Sequence, residues 1–243
     1  MMKLTKDKIL QYEKDFEYTK GIIRTPEKWS RYFWDNYYRK ITPFMIEKIT
    51  GCRRVVFIGI GAGDIVPFLD NEQKSRIIGI DINLNSLMSA AKHTKVILAD
   101  GSNIPLKSGG IDLVLCNQVL HHIIGQGNLD NTIRECYRIL REGGELVAIE
   151  PNSLHPSGAL MNLANRFHKY HSLTGGSDYE FSISPFSILR ILRNNKFSGL
   201  KSASVTFSHP RFPVVLQKII NMVDDKFSGL YLAGLINLYS AVK

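Results

Sequence analysis

The 243-residue sequence predicts an α/β fold whose body is one doubly wound, mostly parallel sheet of seven strands with the last strand antiparallel. Two observations carry that prediction. From Cys52 to Asn152, short β-branched runs alternate with single helical stretches, and strands separated by single helices pair in parallel through right-handed crossovers. The first run, VVFIGI, then climbs into three glycines at every second position, Gly59, Gly61 and Gly63. Glycine is needed where backbone turns sharply and approaches a ligand, and in such sheets that happens at the carboxyl ends of strands.

Residues 1–51 read as an N-terminal helical cap and residues 52–243 as the main domain. In the cap, PEKWSRYFWDNYYRKI (26–41) puts Trp29, Tyr32, Phe33 and Tyr37 along one helical face, and Trp34, Tyr38 and Ile41 along another. Core packing is the plainer account of this stripe; closure over a ligand is the alternative. The domain offers strands at VVFIGI, RIIGID, KVILAD, DLVLCN and ELVAIE. Helices are expected at DIVPFLDNEQ, NLNSLMSAAKHT and LDNTIRECYRILRE, the last closed by Gly143 and Gly144. Residues 153–184, with HPSG and TGG, read as an insertion or lid.

Two late strands follow, SGLKSASVTFS and LINLYSAVK. The last is antiparallel because a tight return from a helix to the sheet edge leaves little chain for another crossover. Between them, Phe212, Val215, Leu216, Ile219, Ile220 and Val223 form the stripe of an amphipathic helix. It suits covering the sheet or a dimer face, and a peripheral membrane contact stays open.

Apolar residues make up 44% and charged residues 22%, an ordinary globular composition. No apolar run approaches the roughly 20 residues of a membrane span. The start, MMKLTKDKILQYEKDFEY, lacks the apolar centre of a signal peptide. Cys52, Cys116 and Cys136 are widely spaced without a CxxC, which suggests neither a disulfide framework nor a zinc site. A cytoplasmic protein with reduced thiols is the expectation. His168 and His171 sit three apart with no Cys or acid cluster to complete a metal site, so no metal is expected.

The net charge of +9 is unevenly spread. Bases outnumber acids by six in residues 1–54 and again in 152–243, while acids lead by three in 55–151. If the flanks shape the acceptor site, an anionic substrate, a nucleic acid or a lipid surface is favoured; solubility is the plainer explanation. The Asn/Asp-Pro-Pro-Tyr/Phe motif of amino-group acceptors is absent, the strand-four exit reading CNQV, and no nucleic-acid recognition module is present.

A GxGxxG fingerprint would need a small residue at position 64, where Asp64 stands. An aspartate opening a helix there would take the place of a pyrophosphate at the dipole's positive end. Asp81 ends the second strand, where a carboxylate can accept both ribose hydroxyls. Asp100 ends the third before a polar turn and Pro105, where an acid can accept from an adenine amino group.

Together, Gly59–Gly63, Asp81, Asp100–Pro105, GGIDLVLCNQVLHHI (109–123) and REGGELVAIEPN (141–152) resemble the class I S-adenosylmethionine-dependent methyltransferases of small-molecule type, the type 11-like group. The resemblance covers residues 52–152 and implies a Rossmann-like methyltransferase fold. It implies that Gly59, Ile60, Gly61 and Gly63 lie along the methionine portion of S-adenosylmethionine, which leaves as S-adenosylhomocysteine. Asp81 and Ile82 would serve the ribose, Asp100, Gly101 and Ser102 the adenine, and Asn117 and Gln118 the methionine amino group. The sequence departs from the family at Phe57, where an acid is usual; either another group substitutes or cofactor binding weakens.

Methyl transfer from a sulfonium needs chiefly alignment, and a base only for a protonated acceptor. His121 and His122 follow the fourth strand, and Glu150 ends the fifth at the expected acceptor mouth. Each can be a base; a structural role beneath the cofactor, or a loop cap for Glu150, is the alternative. The function implied is methyl transfer to a small-molecule or lipid-like, possibly anionic acceptor. A non-catalytic binding or regulatory protein of the same fold, or a nicotinamide-dependent reductase, are the other readings.

Overall fold

The computed structural model describes residues 27–164, 166, 167 and 180–243. His168 and His171, and most of the expected lid, lie outside them. Seven strands form one sheet in the order β3-β2-β1-β4-β5-β7-β6. They are β1 (Val55–Ile58), β2 (Ile77–Asp81), β3 (Lys95–Leu98), β4 (Ile111–Asn117), β5 (Leu140–Pro151), β6 (Ser198–Thr206) and β7 (Ile236–Val242). The first five pair in parallel, and β7 enters between β5 and β6 antiparallel to both. Every predicted strand is present, with the orientation expected of the last.

Period-two alternation sends consecutive residues of each strand into separate cores. Val56 and Ile58 of β1 and Val114 and Cys116 of β4 pack against α5 (Leu129–Ile139) and α7 (Pro185–Asn194). Val55 and Phe57 of β1 and Leu113 and Leu115 of β4 face the other way, onto α1 (Glu27–Thr50) and α3 (Leu84–Ala90). In α1 the buried positions Phe33, Tyr37, Ile41, Met45 and Ile49 recur every fourth residue, a stripe laid lengthwise on the sheet. Trp34 stays exposed and edge-on to both Phe33 and Tyr37.

Three expectations are corrected. No helix opens at Asp64: the loop makes a 3-10 turn at Val66–Phe68, and α2 (Asn71–Arg76) starts afresh from an Asp70/Gln73 capping box. Pro67 has no amide hydrogen to continue a ladder from the glycines. The argument from an aspartate on a helix dipole therefore falls. Second, α5 ends at Ile139 because Leu140 is already extended; Gly143 and Gly144 lie inside β5, at a register shift against β4. Third, the helix of the 212–223 stripe, α8 (Val214–Asp224), does not cover the sheet with that stripe. It buries Gln217 and Asp224 and turns Val215, Leu216, Ile219, Met222 and Val223 outward.

Polar anchors dictate that orientation. Gln217 donates from Nε2 to the carbonyls of Trp29 (3.0 Å) and Phe212 (2.7 Å). Asp224 accepts from Lys40 Nζ, Thr206 Oγ1 and the Phe207 amide at 2.8, 2.8 and 3.0 Å. A buried carboxylate with three donors is stable only where it is, and the helix follows it.

Candidate functional site

The strands that bring residues together here are β1, β2 and β4, at their carboxyl ends. Gly59, Gly61 and Gly63 all have positive φ, at 67°, 56° and 86°. A side chain on Gly59 would place its Cβ 2.3 Å from a Val119 methyl, so the β4 exit closes directly on the turn. In front of Gly61 a Cβ would meet nothing within 4 Å, which leaves the turn open on that side.

Asp81 braces the turn from β2. One carboxylate oxygen accepts the Gly61 amide at 2.8 Å and the other the Asn83 amide at 2.9 Å. Asn83 in turn caps α3. Ile82, between them, is half-buried. Asp100 uses one oxygen to accept the Ser102 amide at 2.8 Å, which folds the Asp100–Asn103 turn; Gly101 packs against Ile58 and Thr132. At the end of β4, Gln118 has φ of 56°, held there by its amide donating to the Ile149 carbonyl. A non-glycine residue in the left-handed region costs roughly 1–3 kcal/mol and gathers where function needs it.

The cap helix reaches the same place. Tyr37 donates its phenol to the Asn117 side-chain oxygen, and Gln118 Nε2 donates to the Tyr37 oxygen at 3.5 Å. Tyr38 donates to Asp64 at 3.2 Å. Burial pushes both phenols well above the usual tyrosine range, so both remain protonated donors. Phe57, 3% exposed, lies in the apolar cluster with Phe33 and Tyr37. The place of the missing acid is thus absorbed by the cap helix. None of these contacts was legible in the sequence, since the partners are 26 to 81 residues apart.

Glu150 does not open onto a mouth. It is fully buried and accepts from the amides of Val119, Leu120 and His121 at 3.0, 2.8 and 3.2 Å, sitting at the start of α4 (Leu120–Gly125). Its second oxygen also meets His121 Nδ1 at 2.8 Å. The carboxylate therefore compensates the positive end of α4 and fixes the imidazole. His121 Nε2 points to Glu180 at 3.7 Å, and the rings of His121 and His122 lie 4.1 Å apart. Glu180, absent from the sequence reading, joins the two histidines with one ligand-type atom each within 4.8 Å of one another. Two imidazoles and a carboxylate can hold a divalent ion, a grouping the sequence did not anticipate.

Residues 56–148 match the protein family described as a methyltransferase domain. An uncharacterized protein of Methanocaldococcus jannaschii is 26% identical over 223 residues, covering 84% of this chain and 90% of its own. A malonyl-[acyl-carrier protein] O-methyltransferase of Legionella pneumophila is 27% identical over 151 residues, 57% of this chain and 48% of that protein. Among solved structures, an S-adenosylmethionine-dependent methyltransferase of Thermotoga maritima superposes with a TM-score of 0.61 at 17% identity, over 89% of this chain and 95% of that one. That likeness is one of fold. No helix among the described residues is long and apolar enough to cross a membrane.

Proposed function

We propose that this chain, an enzyme built on a class I S-adenosylmethionine-dependent methyltransferase domain, binds its cofactor over the glycine turn and methylates a small, anionic, lipid-like acceptor. The observation that carries the reading is the Asp81 carboxylate. It spends one hydrogen bond per oxygen on backbone amides, and an ionised carboxylate accepts about four. Two acceptor positions remain beside an open turn, which fits the paired hydroxyls of a ribose.

When bound, the cofactor supplies a methyl on a sulfonium, a leaving group that needs no nucleophilic residue. The protein's part is alignment, worth up to roughly 7–11 kcal/mol. In this reading Asp100, with one oxygen committed to Ser102, turns the other to the adenine amino group, with Gly101 backing the ring. Ile82 flanks the ribose, and Asn117 and strained Gln118 meet the methionine amino group. Asp64, held by Tyr38 beside the turn, supplies the negative charge that Phe57 lacks.

The acceptor class rests on the basic flanks and on the Legionella relative, whose name places its methyl on an oxygen of a malonyl group. A carboxylate acceptor arrives ionised and needs no base. His121 and Glu150 are then required only to hold α4, consistent with their burial.

Calorimetric titration with S-adenosylmethionine and S-adenosylhomocysteine tests the reading. Wild type is expected to bind both, and Asp81→Ala to lose about 100-fold in affinity, two charge-assisted hydrogen bonds at roughly 1.5 kcal/mol each. Binding of NAD without either methionine ligand would sink it.

A further inference from the structure

We infer that the outward face of α8, with the segment that follows it, docks on the surface of an anionic phospholipid bilayer. The starting point is the inversion already described. Val215 and Met222 are 71% and 79% exposed, while Gln217 on the opposite face is fully buried. Leu216, Ile219 and Val223 complete the exposed stripe. An apolar face held outward by buried polar anchors is not a helix waiting to turn over, because rolling it inward would strand Asp224, Lys40 and Gln217.

The face also continues beyond the helix. Phe227, Leu230 and Leu232 are exposed in the chain that follows. Their segment is tied to the start of α6 (Pro156–Ala164): the Asn152 side chain donates to the carbonyls of Tyr231, Leu232 and Gly234. On α6, Leu160 and Leu163 are exposed as well. Contiguous apolar surface of this extent marks an interaction site rather than scattered surface residues.

Charge selects the occupant. Arg211, Lys218 and Lys226 are exposed on and beside the stripe. The two acids of the segment, Asp224 and Asp225, are both paired with Lys40, at 2.8 and 3.3 Å. A basic rim around an apolar face matches lipid tails flanked by anionic headgroups. A second copy fits worse: in a two-fold pair the stripe would meet itself, and Lys218, one helical turn from Val215 and Met222, would face its own counterpart. The inference stands on this surface alone and does not require the cofactor reading.

The test is sedimentation of the full chain with phosphatidylcholine vesicles, with and without phosphatidylglycerol. Wild type is expected to pellet with the anionic vesicles, to be released by raised salt, and to stay in solution with phosphatidylcholine alone. The triple variant Val215→Ser/Ile219→Ser/Met222→Ser should bind the anionic vesicles about tenfold or more weakly. Its melting temperature and S-adenosylmethionine titration should match wild type, since no altered side chain is buried. Absent pelleting, equal pelleting on both vesicle types, or a variant that pellets like wild type would overturn the inference. A dimer in light scattering that the triple variant dissolves would assign the face to a second copy and overturn it too. Failure here would leave the cofactor titration untouched, so the two readings fall separately.

Discussion

Helices α1 and α8 both carry an apolar stripe, and both touch the same side of the molecule, joined by Lys40 and Gln217. They use the stripe in opposite ways. In α1 the residues Phe33, Tyr37, Ile41, Met45 and Ile49 press onto the sheet beside Phe57 and Leu115. In α8 the polar residues face in and the apolar ones face out. The contrast teaches that periodicity defines a face without saying which way it points. What stands opposite decides: an apolar sheet face for α1, and Lys40, Thr206 and two carbonyls for α8.

The comparison can be broken most sharply at Asp224. Asp224→Ala removes the acceptor of Lys40, Thr206 and Phe207 and leaves Lys40 with only the exposed Asp225. The expected loss is about 3–5 kcal/mol in urea-induced unfolding, the cost of breaking a buried charge pair from one side. A loss below about 1 kcal/mol would mean that the anchors do not fix α8. Next comes Met45→Ala in α1, where a fully buried side chain leaves a cavity against the sheet. About 3 kcal/mol is expected from the same unfolding curves.

The smallest effect is a pH dependence in the loop that leads into α8. Burial, with the Arg211 and His155 charges, pulls His209 down to about 4 from its ordinary 6.5. The folded state thus keeps a neutral imidazole while the unfolded state takes up a proton below pH about 6.5. Stability contributed by His209 is full above that value, declines as the pH falls towards 4, and changes no further below it. Partial exposure limits the total to about 1 kcal/mol. Melting curves of His209→Gln should be flatter over that window than those of wild type.

All seven strands were legible, because β-branched runs between single helices leave few topologies open. So were the glycine turn and the carboxylates at the ends of β2 and β3, whose chemistry depends on spacing along the chain. The errors fell where local pattern met non-local competition. Pro67 broke a helix that its neighbours supported, and Leu140 joined β5 before the glycines could end α5. Glu150 sits at a strand end as expected, but three amides of α4 claim it. The contacts of Tyr37 with Asn117, of Tyr38 with Asp64, and of Glu180 with His121 had no local signal at all.

The place of β7 between β5 and β6 has a temporal consequence. Strand β6 hydrogen-bonds to β7 alone, and β7 follows it by some thirty residues. As the chain leaves the ribosome at about 5–20 residues per second, β6 waits for seconds as an unpaired strand while the five parallel strands can already assemble. Its alternating serines, Ser198, Ser202 and Ser204, with Lys201 among them, keep that waiting strand polar enough to resist pairing with a neighbouring nascent chain.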